Sequence, residues 1–273
     1  MYLLFDIGGT KTRIAVSKEG VGFGEPIIFE TPETFEEGVT KLIQTGKDIL
    51  AGERAEVVAG GIAGNLNSKK TKLANSTNLK GWIQKPLYKE LFMAFGTDVF
   101  IENDAALVGL GETHYGAGQG HDIVAYITLS TGIGGTRIVN GKIDSNVQGF
   151  EPGHQYIEGT KKNFEELVSG NAILLGKGVA PENIKDKSFW DAITQQVAVG
   201  LNNVAVFWSP NIIVLGGGLV RDTAINISDV KNNLEKVLTV FPEKPKIIEC
   251  VLGGTGGLYG ALVYAKQKNS NKS

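Results

Sequence analysis

The chain has 273 residues, 42% hydrophobic and 21% charged, with 8 prolines, which excludes a disordered protein and suits one large or two modest folded domains. Its 27 basic and 29 acidic side chains leave a net charge of −2 and no basic block able to track a run of phosphates, so no nucleic acid is expected as a direct partner. A single cysteine excludes an internal disulfide and a Cys-rich zinc site. The N-terminus has no cleavable apolar stretch, and no apolar run reaches the roughly 20 residues that span a bilayer. The expectation is therefore a cytoplasmic protein with no membrane partner. Glycine is the outlier: 37 positions, about 14% against a usual share of about 7%.

The first elements read as strand, tight turn, strand: Tyr2-Leu3-Leu4-Phe5, then Asp6-Ile7-Gly8-Gly9-Thr10, then Thr12-Arg13-Ile14-Ala15-Val16. Apolar residues at helical spacing over Phe35–Leu50, with Thr34 and Glu37 placed as a capping box, predict a helix. Val57-Val58-Ala59 predicts a buried strand, Leu87–Phe95 a helix, Val99-Phe100-Ile101 a strand, and Asp104–Glu112 a helix opening directly after it. Glycines 116, 118 and 120 mark a boundary between Glu112 and Asp122, with His114 and His121 expected at the surface. The division drawn is 1–115 for a smaller N-terminal domain and 116–273 for a larger C-terminal one.

Ile123–Leu129 then reads as a strand leading into Ser130-Thr131-Gly132-Ile133-Gly134-Gly135-Thr136, Arg137-Ile138-Val139, and a hairpin-type Asn140-Gly141. The tetrapeptide Ile-Gly-Gly-Thr thus occurs at 7–10 and at 133–136, each time between two strand-like segments, which points to an internal duplication. Helical patterns follow over Phe164–Leu175 and Phe189–Trp208, then a strand Ile212–Leu215 ending in Gly216-Gly217-Gly218, and a final helix Leu258–Lys268 before a polar tail, Asn269–Ser273. Cys250, among Ile247, Ile248, Val251 and Leu252, is expected to be a buried structural thiol. Alternating strands and helices indicate an α/β fold.

Three Gly-rich segments each follow a strand, and glycine there lets backbone N–H groups approach phosphate oxygens with no Cβ in the way. Neither a P-loop nor a dinucleotide-binding Gly-x-Gly-x-x-Gly fits, because the residues after Thr10 read as a strand. Asp6-x-Gly-Gly-Thr-Lys, Glu102-Asn103-Asp104-Ala105-Ala106, Thr131-Gly132-Ile133-Gly134-Gly135, Glu151-Pro152-Gly153-His154, Glu165 before Ser169-Gly170, and Leu252-Gly253-Gly254-Thr255-Gly256-Gly257-Leu258-Tyr259-Gly260-Ala261 resemble, in order and spacing, the ROK family of sugar kinases and repressors.

The resemblance implies two actin-like (ribonuclease H-like) α/β domains, with ATP and a hexose in the cleft between them. It also implies that the last helix, about 255–268, packs back on the N-terminal domain, and that the protein is a homodimer. Phosphoryl transfer asks the protein mainly for alignment, charge neutralisation and a base. Asp104, just past a strand end, fits the base, although an N-cap role would place an aspartate there too. Asn103, Asn78, Glu151, His154 and Glu165 match the family's sugar-side positions. Asn78 reads equally as a turn residue, and Glu165 also fits a first-turn acid.

On the nucleotide side the resemblance implies that Gly8, Gly9, Thr10 and Lys11 face phosphates, Lys11 reading equally as a solvated edge lysine. It further implies that Thr131, Gly132 and Gly134 receive the phosphates from the second domain, that Gly217 and Gly218 lie against adenosine, and that Asp6, which also fits a turn-stabilising Asx residue, orients Mg2+ through water. The family's Cys-x-Cys-Gly-x-x-Gly-Cys motif is absent from Gln155–Phe164, so no structural zinc is expected, and Pro152 stands where Ile is usual. With a first strand expected from residue 2, the repressors' helix-turn-helix is not expected here. The function implied is ATP-dependent phosphorylation of a hexose or N-acetylhexosamine hydroxyl, O6 foremost. The alternatives are a catalytically idle sugar- or nucleotide-binding protein and a related ATPase acting on another alcohol.

Overall fold

The computed structural model describes residues 1–157, 159 and 161–270, which fall into two compact units. The first comprises Met1–His114, Ser145–Gly149 and the chain from Gly254; the second comprises Tyr115–Asp144 and Phe150–Gly253.

In the first unit, strands β1 (Tyr2–Ile7) and β2 (Lys11–Ser17) form an antiparallel hairpin, β3 (Ile27–Glu30) borders it, and helix α1 (Phe35–Leu50) follows. Strand β4 (Val57–Ile62), the small hairpin β5 (Asn65–Leu66) and β6 (Leu73–Asn75), helix α2 (Leu87–Phe95), strand β7 (Asp98–Asn103) and helix α3 (Asp104–Tyr115) complete its N-terminal part. The sheet order is β3-β2-β1-β4-β7, with β4 parallel to both β1 and β7.

The second unit runs through strands β8 (Ile123–Leu129), β9 (Ile133–Val139) and β10 (Lys142–Ile143), then helices α4 (Phe164–Val168), α5 (Gly170–Lys177) and α6 (Lys187–Trp208). Strand β11 (Ile212–Gly216), helices α7 (Gly218–Asp222) and α8 (Ile227–Val237) and strand β12 (Lys246–Glu249) follow, and α9 (Gly256–Ser270) returns to the first unit. The order here, β10-β9-β8-β11-β12, repeats that of the first sheet, so both units have the actin-like, ribonuclease H-like arrangement of an α/β protein.

The strand period of two explains how each sheet is used. Leu3, Phe5 and Ile7 of β1 join Phe35, Leu42 and Leu91 in one core, while Leu4 and Asp6 point to the opposite face, where α9 packs on β1 and β4. Buried on both faces, β4 is apolar or glycine throughout (Val-Val-Ala-Gly-Gly-Ile). Helices α3 and α9 cross almost backbone to backbone: a Cβ on Gly260 would lie 1.8 Å from the Leu107 carbonyl oxygen, and one on Gly111 2.4 Å from that of Gly256. Much of the glycine excess therefore serves close packing. In the second unit Phe164, Trp190, Leu201, Ile213 and Leu215 anchor the core.

Several expectations are corrected by the structure. The second Ile-Gly-Gly-Thr does not lie between strands: residues 133–136 are inside β9, Gly134 paired with Thr128 and Gly135 with Ile127, and the turn is Ser130-Thr131-Gly132. The duplicated topology is present, but the repeated tetrapeptide does not occupy equivalent places in it.

The helix expected over Phe164–Leu175 breaks at Ser169, whose extended backbone and side chain, accepting from the Ala172 N–H at 3.1 Å, cap a new helix. Thr34 caps α1, but its hydroxyl also donates to Glu37 at 3.0 Å, so the reciprocal capping box expected there is instead found at Asn163 and Glu166. Cys250 is half-buried rather than enclosed, because β12 ends one residue earlier and Val251 is exposed. His114 is exposed and His121 half-buried. The final helix includes Asn269 and Ser270; residues 271–273 of the polar tail lie outside the described residues. No helix among the described residues is long and apolar enough to cross a membrane.

Candidate active site

Carboxylates gather in the first unit at the C-terminal ends of its parallel strands, the usual ligand-binding edge of an α/β sheet. Register places Asp6 beside Gly61 and Gly61 beside Glu102 across β1, β4 and β7. The glycine in the middle clears space, since a Cβ there would be 3.0 Å from Asp104 Cα where α3 begins. Asp6 is 8% exposed, with Arg13 Nη1 3.4 Å from its Oδ2. A Cβ on Gly257 of α9 would lie 2.8 Å from the Asp6 carboxyl carbon, so that glycine is what lets the acid fit. Burial first, and then the neighbouring Asp104 charge, push the Asp6 carboxyl up to about 7 despite Arg13.

Asp104 is the first residue of α3 but does not cap it. Asn103 does, its Oδ1 accepting from the Ala106 N–H at 3.0 Å while its Nδ2 donates to the Gly64 carbonyl at 3.1 Å. One Asp104 oxygen accepts from the Ala105 N–H at 2.9 Å, and the half-buried carboxyl is raised above its ordinary range by burial, backbone hydrogen bonds opposing. The arrangement leaves an acceptor of elevated basicity at a strand-to-helix junction.

Asn78 lies directly on the first glycine turn: a Cβ on Gly9 would come within 2.6 Å of Asn78 Cβ. Ser76 holds that loop, donating to the Ala63 carbonyl at 2.8 Å and accepting from the N–H groups of Asn78 and Leu79. Gly8 closes the turn by donating to the Lys11 carbonyl at 3.0 Å, and Thr10 and Lys11 are exposed. The structure thus brings together Asp6, Gly9, Asn78, Asn103 and Asp104. It adds partners unassigned from the sequence: Arg13, Lys70 paired with buried Glu102, and Tyr264, hydrogen-bonded to Glu102 and raised by burial. Only the place of Glu102, directly before Asn103-Asp104, could have signalled it.

In the second unit the Ser130-Thr131-Gly132 turn is tied to the start of α5, Gly170 donating to the Ser130 carbonyl at 2.8 Å and Asn171 to that of Thr131 at 3.1 Å. A cavity of about 490 Å³ opens beside it, lined by Thr131, Asn171, Leu174, Gly218 and Asp222 among others. Gly217, at φ 97°, meets the Leu129 carbonyl so closely that a Cβ would fall 2.1 Å from it. Of the expected nucleotide-side residues, Thr131 and Gly218 line this cavity; Gly134 lies in β9.

Glu165 turns its carboxylate to the same turn, accepting from the Ile133 N–H at 2.6 Å. Glu151 precedes and His154 ends a short 3-10 turn, Pro152–His154, His154 Nε2 being 3.9 Å from Glu151 Oε2, both exposed. Where the zinc motif is missing, backbone bonds close the segment: Phe164 donates to the Gln155 carbonyl at 2.8 Å and Tyr156 bridges Asn163. Residues 158 and 160 of that stretch lie outside the described residues. Among the described residues no group of three or more His, Cys, Asp or Glu side chains could hold a metal ion.

Residues 2–268 match the family model described as "ROK family". A glucokinase of Thermotoga maritima is 26% identical, covering 96% of this chain and 96% of its own. An N-acetyl-D-glucosamine kinase of Histophilus somni is 28% identical over 96% of this chain and 97% of its own. The crystal structure of a ROK family glucokinase from Streptomyces griseus in complex with glucose and AMPPNP superposes with a TM-score of 0.81 at 26% identity, covering 97% of this chain and 99% of that one.

Proposed function

The chain belongs to the ROK family, and from that premise we propose that it is a sugar kinase, transferring the γ-phosphoryl group of ATP to O6 of a hexose or N-acetylhexosamine. The observation that carries this reading is Asp104. It stands at the head of α3 with its cap role taken by Asn103, and burial raises its basicity. A carboxylate so placed takes the proton of the attacking hydroxyl as the O–P bond forms. Asn103 and Asn78 in the first unit, and Glu151, His154 and Glu165 in the second, orient the sugar hydroxyls by hydrogen bonds.

ATP use is supported by the AMPPNP in the Streptomyces griseus relative and by the chain's own cavity beside Thr131 and Gly218. Thr131, Gly132 and Gly134, with Gly8, Gly9, Thr10 and Lys11 of the first unit, serve the phosphates, and Gly217 and Gly218 serve adenosine. Asp6 fits a role toward magnesium through water, since a buried acid next to Asp104 gains from a cation nearby. When bound with the nucleotide, that ion neutralises charge on the phosphates. A homodimer and a cytoplasmic location belong to the same reading.

The test is ADP release with magnesium-ATP against glucose, mannose, fructose, N-acetylglucosamine and N-acetylmannosamine. One sugar stimulates release, and Asp104→Asn lowers kcat by about 10²–10⁴-fold, the usual worth of a general base. No sugar-dependent release from folded, nucleotide-binding protein would refute the kinase reading.

A further inference from the structure

Asn163 is committed at every polar atom of its side chain and at its own N–H. Its Oδ1 accepts from the Glu166 N–H at 2.9 Å, its N–H donates to Glu166 Oε2 at 2.9 Å, and its Nδ2 lies 3.4 Å from His154 Nδ1. The first of these bonds fixes the amide, because a flipped Asn163 would turn its NH2 group against a backbone donor. An amide nitrogen only donates, so His154 Nδ1 must accept, and the ring carries its proton on Nε2. That nitrogen is the one directed toward Glu151 Oε2, 3.9 Å away. One residue thus joins the imidazole to the first turn of α4, where Glu165 holds the Ile133 N–H.

We propose that Asn163 is a positioning residue that holds His154 as the Nε2–H tautomer, so that His154 and Glu151 present an adjacent donor and acceptor to a pair of sugar hydroxyls. The second clause rests on the kinase reading; the tautomer does not. In the bound complex the Nε2–H donates to one hydroxyl oxygen while the Glu151 carboxylate accepts from another. A proton moved to Nδ1 would leave Nε2 without a hydrogen to give and turn two acceptors toward the same ligand.

Asn163→Asp tests this directly. Aspartate caps a helix as well as asparagine, so α4 keeps its start, but a carboxylate only accepts and draws the imidazole proton to Nδ1. The chain has only three histidines, so His154→Gln identifies the ring signals of residue 154 in the imidazole ¹⁵N spectrum at mildly alkaline pH. In the native protein those signals show a protonated Nε2, and in Asn163→Asp a protonated Nδ1. The KM for the sugar found above rises about 3- to 10-fold with kcat nearly unchanged, the ratio that one hydrogen bond made equally in ground and transition states sets.

In the His154→Gln background the Asn163→Asp change no longer affects KM, because the two residues act as one. A native His154 protonated at Nδ1, or an equal KM penalty with and without His154, would overturn the proposal. If no sugar is turned over, the spectrum still decides the tautomer, and the failure lies with the kinase reading. Should Asn163→Asp misfold, Asn163→Gly keeps a residue tolerated at a helix N-cap with no side-chain donor and yields a mixture of tautomers; an unchanged Nε2–H signal there refutes the assignment.

Discussion

Between Ile7 and Lys11 the first sheet turns over two glycines and a threonine, with buried Asp6 behind the turn and Arg13 beside it. Between Leu129 and Ile133 the second sheet turns over Ser130-Thr131-Gly132, and Thr128 stands where the first has Asp6. The strand order is the same, yet one turn carries charge and the other offers hydroxyls, amides and the start of a helix. A duplicated topology leaves the chemistry of each copy free to diverge. Here the charged copy sits with the proposed base, and the neutral copy borders the cavity proposed for the nucleotide.

The sharpest way to break this contrast, after loss of the base itself, is Asp6→Asn. Because the Asp6 carboxyl is raised from 3.8 to about 7 on folding, its ionisation costs the native state stability as pH rises from about 4 to 7, and the cost is complete above that. Asn removes it: calorimetry at pH 8 shows a higher Tm, with the gain fading toward pH 4. Turnover meanwhile falls roughly 10-fold or more, a loss of at least about 1.4 kcal/mol of transition-state stabilisation. An unchanged Tm at pH 8 would show that the acid is not held at a cost.

A smaller effect is expected on the neutral side. Glu165→Gln weakens a charge-assisted bond to the Ile133 N–H and loosens the second turn, raising KM for ATP by about 5- to 10-fold in initial-rate kinetics. A change confined to the sugar KM would leave Glu165 with its sugar-side role alone and refute the link to the second turn. The pH profile of kcat/KM sharpens the first-unit side again: its acid limb, set by Asp104, lies above the ordinary carboxylate value of about 4. The least effect on turnover comes from Lys70→Met, which leaves buried Glu102 without its cation and costs about 1–3 kcal/mol in urea unfolding.

The elements most legible in the sequence were those with one buried side. Val39 and Leu42 of α1 recur at helical spacing because only one face is covered. Helix α9 buries Gly256–Leu258 and Gly260–Ala265, so its periodicity disappears and the apolar pattern alone marks it only from Leu258, two residues inside its start. The repeated Ile-Gly-Gly-Thr pointed to a true duplication for the wrong reason: glycines 134 and 135 lie in a strand. Asp104 could be read from a strand followed at once by a helix. Lys70 could not, because its partner is 32 residues away and nothing local marks a lysine as paired. The role of Asn163 was equally hidden, since a helix cap is local but its reach to His154 depends on how the intervening loop closes.

The return of α9 to the first sheet orders the birth of the protein. Residues from Gly254 leave the ribosome only after all of the second unit, so β1 and β4 emerge early and wait for the helix that covers one of their faces. The second unit has all of its strands before then, whereas in the first Leu4, Val57 and Ala59 lack the helix that packs over them until α9 follows.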